Sequence, residues 1–221
     1  MNIVFDLDGT LIDSAADIQA VTEVILGGLG KAPLTLEETR AFVGEGAPVL
    51  VSRMMAARGI AQTPEAHAEI YAAFVAEYEF AVERAVYYPG VLDALARLRA
   101  GGHRLGLCTN KPELPARAVV RHMKMEPLLD AFVAGGMVES RKPEPEMLWR
   151  CIGDLGGGAT LYVGDSETDA ETARRAGVPF ALYTEGYRRT AVEEIPHQWH
   201  FDHFDHLAGI VAQAQGGQTG A

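Results

Sequence analysis

Cysteine is scarce in this sequence. Only Cys108 and Cys151 occur, in no metal-like spacing, which argues against a disulfide framework and a thiolate metal site. Cys108 follows an apolar run and reads as a buried free thiol, in keeping with a reducing cytoplasm. Basic residues are also short in supply, 19 against 30 acidic ones, for a formal net charge of -11. Such a surface repels phosphate backbones and anionic lipid, so nucleic acid and membrane surfaces are poor partners. An anionic ligand would need a local cluster of donors or a bound cation. No apolar run reaches the ~18 residues of a membrane span, and no basic leader precedes "NIVF". The expectation is an unexported cytoplasmic protein, monomer or homodimer, with a small metabolite as partner. With 221 residues, 48% of them hydrophobic, it can bury one large core or two modest ones.

What is present begins with short apolar runs. "NIVFDL" (2–7), "HRLGLC" (103–108), "TLYVG" (160–164) and "PFALYT" (179–184) read as buried parallel strands, and "AFVAG" (131–135) as a weaker one. Helical patterns lie between them. Leu92, Leu95 and Leu98 recur in "GVLDALARLRAGG", and "ETDAETARRAG" stops at Gly177. This alternation predicts an α/β fold with a doubly wound parallel sheet.

From about residue 15 to 84 the alternation stops and four stretches read as helices, with Thr35 and Glu38 forming a capping-box pattern. The division expected is an α/β core of residues 1–14 and 85–221 interrupted by a helical insert, 15–84. An insert leaving the sheet's carboxyl edge reads as a lid over a site there; the plainer alternative is a subdomain that never moves. The small, polar "AQAQGGQTGA" at the end reads as disordered.

The polar residues at the strand ends carry the chemistry. Asp6 and Asp8 follow the first strand, and residues i and i+2 of a strand share a face. Thr109, Asn110 and Lys111 follow the second, and Asp165, Ser166, Glu167 and Asp169 follow "TLYVG". Lys142 precedes Pro143 on a loop. Carboxylates, a hydroxyl donor and an ammonium at one edge match phosphoryl transfer through an aspartyl intermediate, because a carboxylate nucleophile needs no deprotonation at pH 7. Carboxylate and phosphate repel, so a cation must sit between them, and oxygen-only ligands suit Mg²⁺. Each group also has a plainer reading. Thr109–Asn110 and Asp165–Asp169 can cap the helices that follow, Lys142 can be a solvated lysine, and Arg40 and Arg53 can belong to a solvated face. A calcium loop from Asp6 fails, since its sixth position is Leu11 and its twelfth Asp17. His197, His200, His203 and His206 recur at every third position, but aligning all four needs a long 3₁₀ run. The interleaved Trp199, Phe201 and Phe204 point to docking on the core.

"DLDGTLIDS", "CTNK", "RKPEPEM" and "VGDSETD", in that order, resemble the four motifs of the haloacid dehalogenase-like superfamily. The resemblance spans residues 4 to 169 and implies a Rossmann-like core with a helical cap domain for the insert. It implies Asp6 as nucleophile, Asp8 as general acid/base, Thr109 as phosphate binder and Lys142 as the orienting cation. Mg²⁺ would be held by the Asp6 side chain, the Asp8 carbonyl and Asp165, with Asp169 near the metal or Lys142. Dehalogenases and phosphonate-cleaving members lack the second aspartate, so Asp8 points to phosphate esters. "FVGEGAPVLVSRMM" resembles the cap of bacterial phosphoglycolate phosphatases, which implies that Gly44, Glu45 and Gly46, with Asn110, meet the substrate. Glu45 stands where that branch often has Asn. The activity expected is a phosphatase, with 2-phosphoglycolate first among substrates. The alternatives are a phosphatase of sugar phosphates, nucleotides or pyrophosphate, a phosphomutase, or a phosphate-binding regulatory module without turnover.

Overall fold

The structure is a computed structural model, and it describes residues 1–218. Six parallel strands form the central sheet, in the order β5-β4-β1-β6-β7-β8. They are β1 (Asn2–Phe5), β4 (Arg104–Pro112), β5 (Ala131–Gly135), β6 (Thr160–Gly164), β7 (Phe180–Tyr183) and β8 (Trp199–Phe201). Side chains alternate along β1: Ile3 and Phe5 join one core with α5 (Val91–Ala100), α6 (Glu113–His122) and α9 (Leu207–Gln218). Val4 joins a second core with α7 (Glu146–Asp154) and α8 (Glu167–Ala176). Both faces of every inner strand are covered, which is why these segments are apolar throughout.

Register places the site. Asn2 pairs with both Arg104 and Thr160, and Phe5 with both Leu107 and Val163. β1, β4 and β6 therefore run in step, and Asp6, Thr109 and Asp165, each within two residues of the paired Phe5, Leu107 and Val163, lie together at the carboxyl edge. The chain winds outward in opposite directions on either side of β1, so this edge is the topological switch point, where such sheets bind ligands.

The insert consists of α1 (Ala15–Gly28), α2 (Leu36–Phe42), α3 (Ala47–Ala57) and α4 (Pro64–Tyr78). It has a core of its own, including Ile18, Leu50, Met54, Met55 and Phe74. Thr35 and Glu38 form the expected capping box, and Thr63 caps α4 ahead of Pro64 at its first position. The chain leaves and re-enters the α/β domain through two short antiparallel strands, β2 (Ile12–Asp13) and β3 (Val86–Tyr87). Asp17 staples this crossing by accepting from the backbone N–H groups of Arg84 (3.0 Å) and Ala85 (2.8 Å).

Several sequence expectations need correction. β1 ends at Phe5, so Asp6 and Asp8 sit on a loop rather than on one strand face. β4 runs on to Pro112, and Pro112, not Thr109 or Asn110, precedes α6. Leu92 is exposed; Val91, Ala94, Leu95 and Leu98 turn inward instead. β2, β3 and β8 were not expected, since two or three residues carry no readable period. The tail is not disordered over 212–218: these residues continue α9, anchored by buried Ile210, Val211 and Ala214. Residues 219–221 of that stretch lie outside the described residues. Phe201 and Phe204 do dock on the core, and His197 meets His200 at 3.2 Å and the Ile195 carbonyl at 2.7 Å. No helix among the described residues is long and apolar enough to cross a membrane.

Candidate active site

Asp6 is buried at the end of β1. The Lys142 ammonium lies 2.9 Å from its Oδ1 as an ion pair, yet that oxygen accepts no hydrogen bond among the described residues. Burial pushes the Asp6 carboxyl up to about 7; Lys142 pulls it down and the Asp169 charge adds to the rise. Lys142 is likewise buried and donates to Asp169 Oδ1 (2.7 Å) and the Tyr162 hydroxyl (3.1 Å). Burial alone would lower its pKa, but Asp169 and Asp6 carry it above the ordinary lysine range.

Asp169 is the most fully engaged acid. Its Oδ2 accepts from Ser166 Oγ (2.6 Å), Ser166 N (3.2 Å) and Asp165 N (3.3 Å), and its Oδ1 from Tyr162 (2.7 Å) and Lys142. Ser166 caps α8, and Asp169 completes a capping box, so the helix-capping reading of Asp169 is correct while Asp165 lies outside it. Burial opposes the charge on Asp169, but Lys142 overcomes it and holds the carboxyl below its usual range. Asp165 has its oxygens on Thr10 Oγ1 (2.7 Å) and Tyr187 N (2.6 Å). Burial, followed by the charges of Asp169 and Asp6, raises it well above the carboxylate range. Gly9, at φ +91°, lets the loop pass directly over Asp165; a side chain there would collide with the carboxylate.

Asp8 accepts from Ser14 Oγ at 2.5 Å and from Lys111 Nζ at 3.2 Å. Thr109 accepts from Lys111 N at 3.2 Å, and its own hydroxyl proton meets no acceptor among the described residues. Asn110 is spent on backbone. It accepts from Lys142 N (2.9 Å) and donates to the carbonyls of Lys142 (3.0 Å) and Gly44 (3.1 Å). It thus fixes the Lys142 loop and ties it to the insert. Gly44 and Gly46 line the cavity with Asp6, Asp8 and Thr109. Glu45 does not. Two guanidinium groups turn it away: Arg53 at 2.5 Å and Arg189, across on the α/β domain, at 2.9 Å. Arg40 pairs with Asp13 at 2.7 Å, so neither insert arginine points at the cavity.

The cavity is ≈ 30 Å³, room for about two waters. Its opposite wall is apolar and comes from the insert: Ile18, Val43, Leu50 and Phe74. Sequence reasoning gave no role to Lys111 and overlooked Tyr78, both of which line it. It also overlooked Thr10 and Ser14, which hold Asp165 and Asp8. The signal for Thr10 was its place in "DGT"; Tyr78 and Tyr187 carry no local signal.

Ligand oxygens of Asp6, Asp165 and Asp169 lie within 4.8 Å of one another. Four buried carboxylates face two ammonium groups, so negative charge is in excess. The donors are all oxygen, and one Asp6 oxygen is orphaned. These residues fit a hard divalent cation. Since Asp169 is saturated, Asp6 and Asp165 are the acids with capacity to spare.

Comparison with known proteins agrees with this geometry. A phosphoglycolate phosphatase from Cereibacter sphaeroides is 45% identical over 212 residues, covering 95% of this chain and 96% of its own. One from Rhodospirillum rubrum is 38% identical over 223 residues, covering 97% and 92%. Among solved structures, a predicted phosphoglycolate phosphatase from Haemophilus somnus superposes with a TM-score of 0.88 at 26% identity, over 95% of this chain and 97% of that one. The family model for haloacid dehalogenase-like hydrolases matches residues 3–183, from the first strand to β7. The chain belongs to the haloacid dehalogenase-like hydrolase family.

Proposed function

We propose that this chain is a Mg²⁺-dependent phosphatase that hydrolyses 2-phosphoglycolate to glycolate and phosphate. The observation that carries the reading is the meeting of Asp6 and Asp8 in one buried cavity, the first backed by Lys142 and the second by Lys111. The substrate is supported by full-length relatives of that name at 45% and 38% identity.

In the first step an Asp6 carboxylate oxygen attacks phosphorus, the ester P–O bond breaks, and Asp8 gives its proton to the departing glycolate oxygen. In the second, Asp8 takes a proton from water, whose oxygen attacks the same phosphorus. Inorganic phosphate leaves and Asp6 is restored. Asp169 and Tyr162 hold the Lys142 ammonium beside Asp6, so its work is to aim Asp6 and keep it ionised. The unclaimed Thr109 hydroxyl proton is the donor for a phosphoryl oxygen. Asp169 positions Lys142, and Asn110 positions the loop that carries it. Asp6, the Asp8 carbonyl and Asp165 would hold Mg²⁺, which screens carboxylate from phosphate and offsets charge at phosphorus.

Residues 15–84 act as one cap over the core of 1–14 and 85–221. The cavity is walled by both the cap and the core, so the cap moves to admit the ester and closes over it to exclude water. Two buried free thiols suit a reducing cytoplasm.

The test is phosphate release from 2-phosphoglycolate, glucose 6-phosphate, AMP and pyrophosphate assayed side by side with Mg²⁺. The expected result is a kcat/KM for 2-phosphoglycolate at least ~10-fold above the rest, within the range that leaving-group contacts supply. A better sugar phosphate or nucleotide would move the substrate, and no turnover of any ester would leave a phosphate-binding regulatory module. Asp6→Asn should lose at least ~10⁴-fold in kcat, as removal of a nucleophile does.

A further inference from the structure

Lys111 is an unusual lysine. Its side chain is 2% exposed at the end of β4, and its one ion-pair partner among the described residues is Asp8, with Nζ 3.2 Å from Oδ1 and 3.5 Å from Oδ2. An ammonium held this deep is costly unless something rewards its charge. Its other neighbour is the Tyr78 hydroxyl, which accepts a hydrogen bond from Nζ. Tyr78 is the last residue of α4, so the cap supplies it.

A count of donors shows what is left over. Lysine has three N–H donors: Tyr78 takes one, Asp8 Oδ1 a second at 3.2 Å, and the third reaches Asp8 Oδ2 only at 3.5 Å, the limit of a hydrogen bond. The Tyr78 oxygen is used as an acceptor, so its own proton is free, and no acceptor among the described residues takes it. Burial, with the Asp8 charge next, raises its pKa well above the ordinary value, so it stays a donor. One unsatisfied donor from the cap and one weakly held donor from the core thus belong to residues lining the same cavity as Asp6 and Asp8. The remaining cap wall is apolar and competes for neither.

We propose that Lys111 and Tyr78 form the subsite that reads a carboxylate on the leaving group. This rests on the phosphatase reading above and narrows its substrate class. Asp8 must stand beside the ester oxygen it protonates, and Lys111 touches Asp8. The anion it meets is therefore separated from that oxygen by about one carbon, as in a 2-phosphooxy carboxylate. A neutral leaving group gives the buried ammonium nothing, and a carboxylate two carbons further out overshoots it. Because the two donors come from different domains, the subsite is whole only when the cap is closed, and the correct leaving group favours closure.

The experiment compares 2-phosphoglycolate with ethyl phosphate, which has the same ester but no carboxylate. Both are assayed in wild type, Lys111→Met and Tyr78→Phe, with thermal melts to verify folding. The readout is the ratio of the two kcat/KM values, since any loss that acts through Asp8 reaches both substrates alike. Lys111→Met should lower the ratio on the order of 100-fold, chiefly through KM for 2-phosphoglycolate, and Tyr78→Phe by roughly 3–10-fold. An unchanged ratio in both variants overturns the subsite, and so does a fall seen only in kcat and equal for both substrates. If Lys111→Met does not fold, the Tyr78→Phe ratio decides, as it keeps the ring and removes only the hydroxyl. A wild-type enzyme with no preference for 2-phosphoglycolate over ethyl phosphate would instead sink the substrate assignment itself.

Discussion

The two sides of the active cavity are held by different physics. On the sheet side, Lys142 and Asp169 are at most 1% exposed and bound to each other, to Asp6, to Tyr162 and to Ser166. Each member has several partners, so no single one can turn without stranding another in a dry interior. On the cap side the ion pairs to the core are wet, and the dry contacts are single hydrogen bonds, Lys111 to Tyr78 and Asn110 to the Gly44 carbonyl. Arg189 and Glu45 are about a third exposed, at 36% and 32%, and Arg40 and Asp13 are open at 46% and 25%. Such pairs are screened and replaceable by water. The contrast separates the two duties of the enzyme: the sheet edge holds reacting groups still, and the cap contacts make and break at low cost.

The sharpest break of this contrast is on the sheet side. Asp169→Asn removes the anion that Lys142 is bound to and weakens the cap of α8. It should destabilise the fold by about 3–5 kcal/mol in urea titration, the range for a broken buried pair, and lower kcat by about 10²-fold through a misaimed Asp6. A variant with near-normal stability and rate would mean that the network is not what fixes the edge.

A smaller effect comes from pH. Asp6 has a folded pKa of about 7 against an ordinary value of 3.8. Between those values the metal-free fold binds more protons than the unfolded chain, so its stability falls as pH rises through that window. Mg²⁺ needs the ionised carboxylate and must displace the proton at pH 6 but not at pH 8. The rise in Tm on adding Mg²⁺ should therefore be larger at pH 8 than at pH 6, by roughly 2–5 °C, and the difference should shrink in Asp6→Asn, where Asp165, also raised by burial, still titrates. Equal shifts in the wild type would exclude Asp6 as the titrating ligand.

The smallest effect belongs to the cap side. Arg189→Ala leaves Glu45 on Arg53 and should cost less than about 1 kcal/mol, with kcat/KM changed no more than ~3-fold and the difference gone at high salt. A loss of tens of fold that persists in salt would make this bridge part of the rigid machinery after all.

What could be read in advance follows the same line. The sheet side was legible because each acid comes directly after an apolar strand, and a doubly wound sheet gathers strand ends whatever their spacing in sequence. The insert was legible from its helical periods and from Thr35–Glu38. The cap-to-core contacts were not, because Tyr78, Glu45 and Arg189 meet only in space and each sits in a stretch that also suits a solvated surface. Lys111 was in view beside Asn110, but its burial depends on the cap lying over it. Asn110 was expected at the substrate; two of its bonds go to the Lys142 backbone 32 residues away and one to the Gly44 carbonyl in the insert, and no local pattern announces them. The missed strands have two or three residues each, too few for an alternation to register.

Tyr187 joins the two sides in one residue. Its backbone N–H holds Asp165, while its hydroxyl accepts from Ser14 N (2.9 Å) and Ala15 N (3.1 Å) and donates to Asp13 (2.6 Å), where the chain departs for the cap. The fulcrum of the cap is therefore surveyed from the acid itself. A swing about that point changes the depth of the pocket while leaving the line of attack untouched, so the helices above could be exchanged for others, and new leaving groups admitted, without re-aligning the chemistry below.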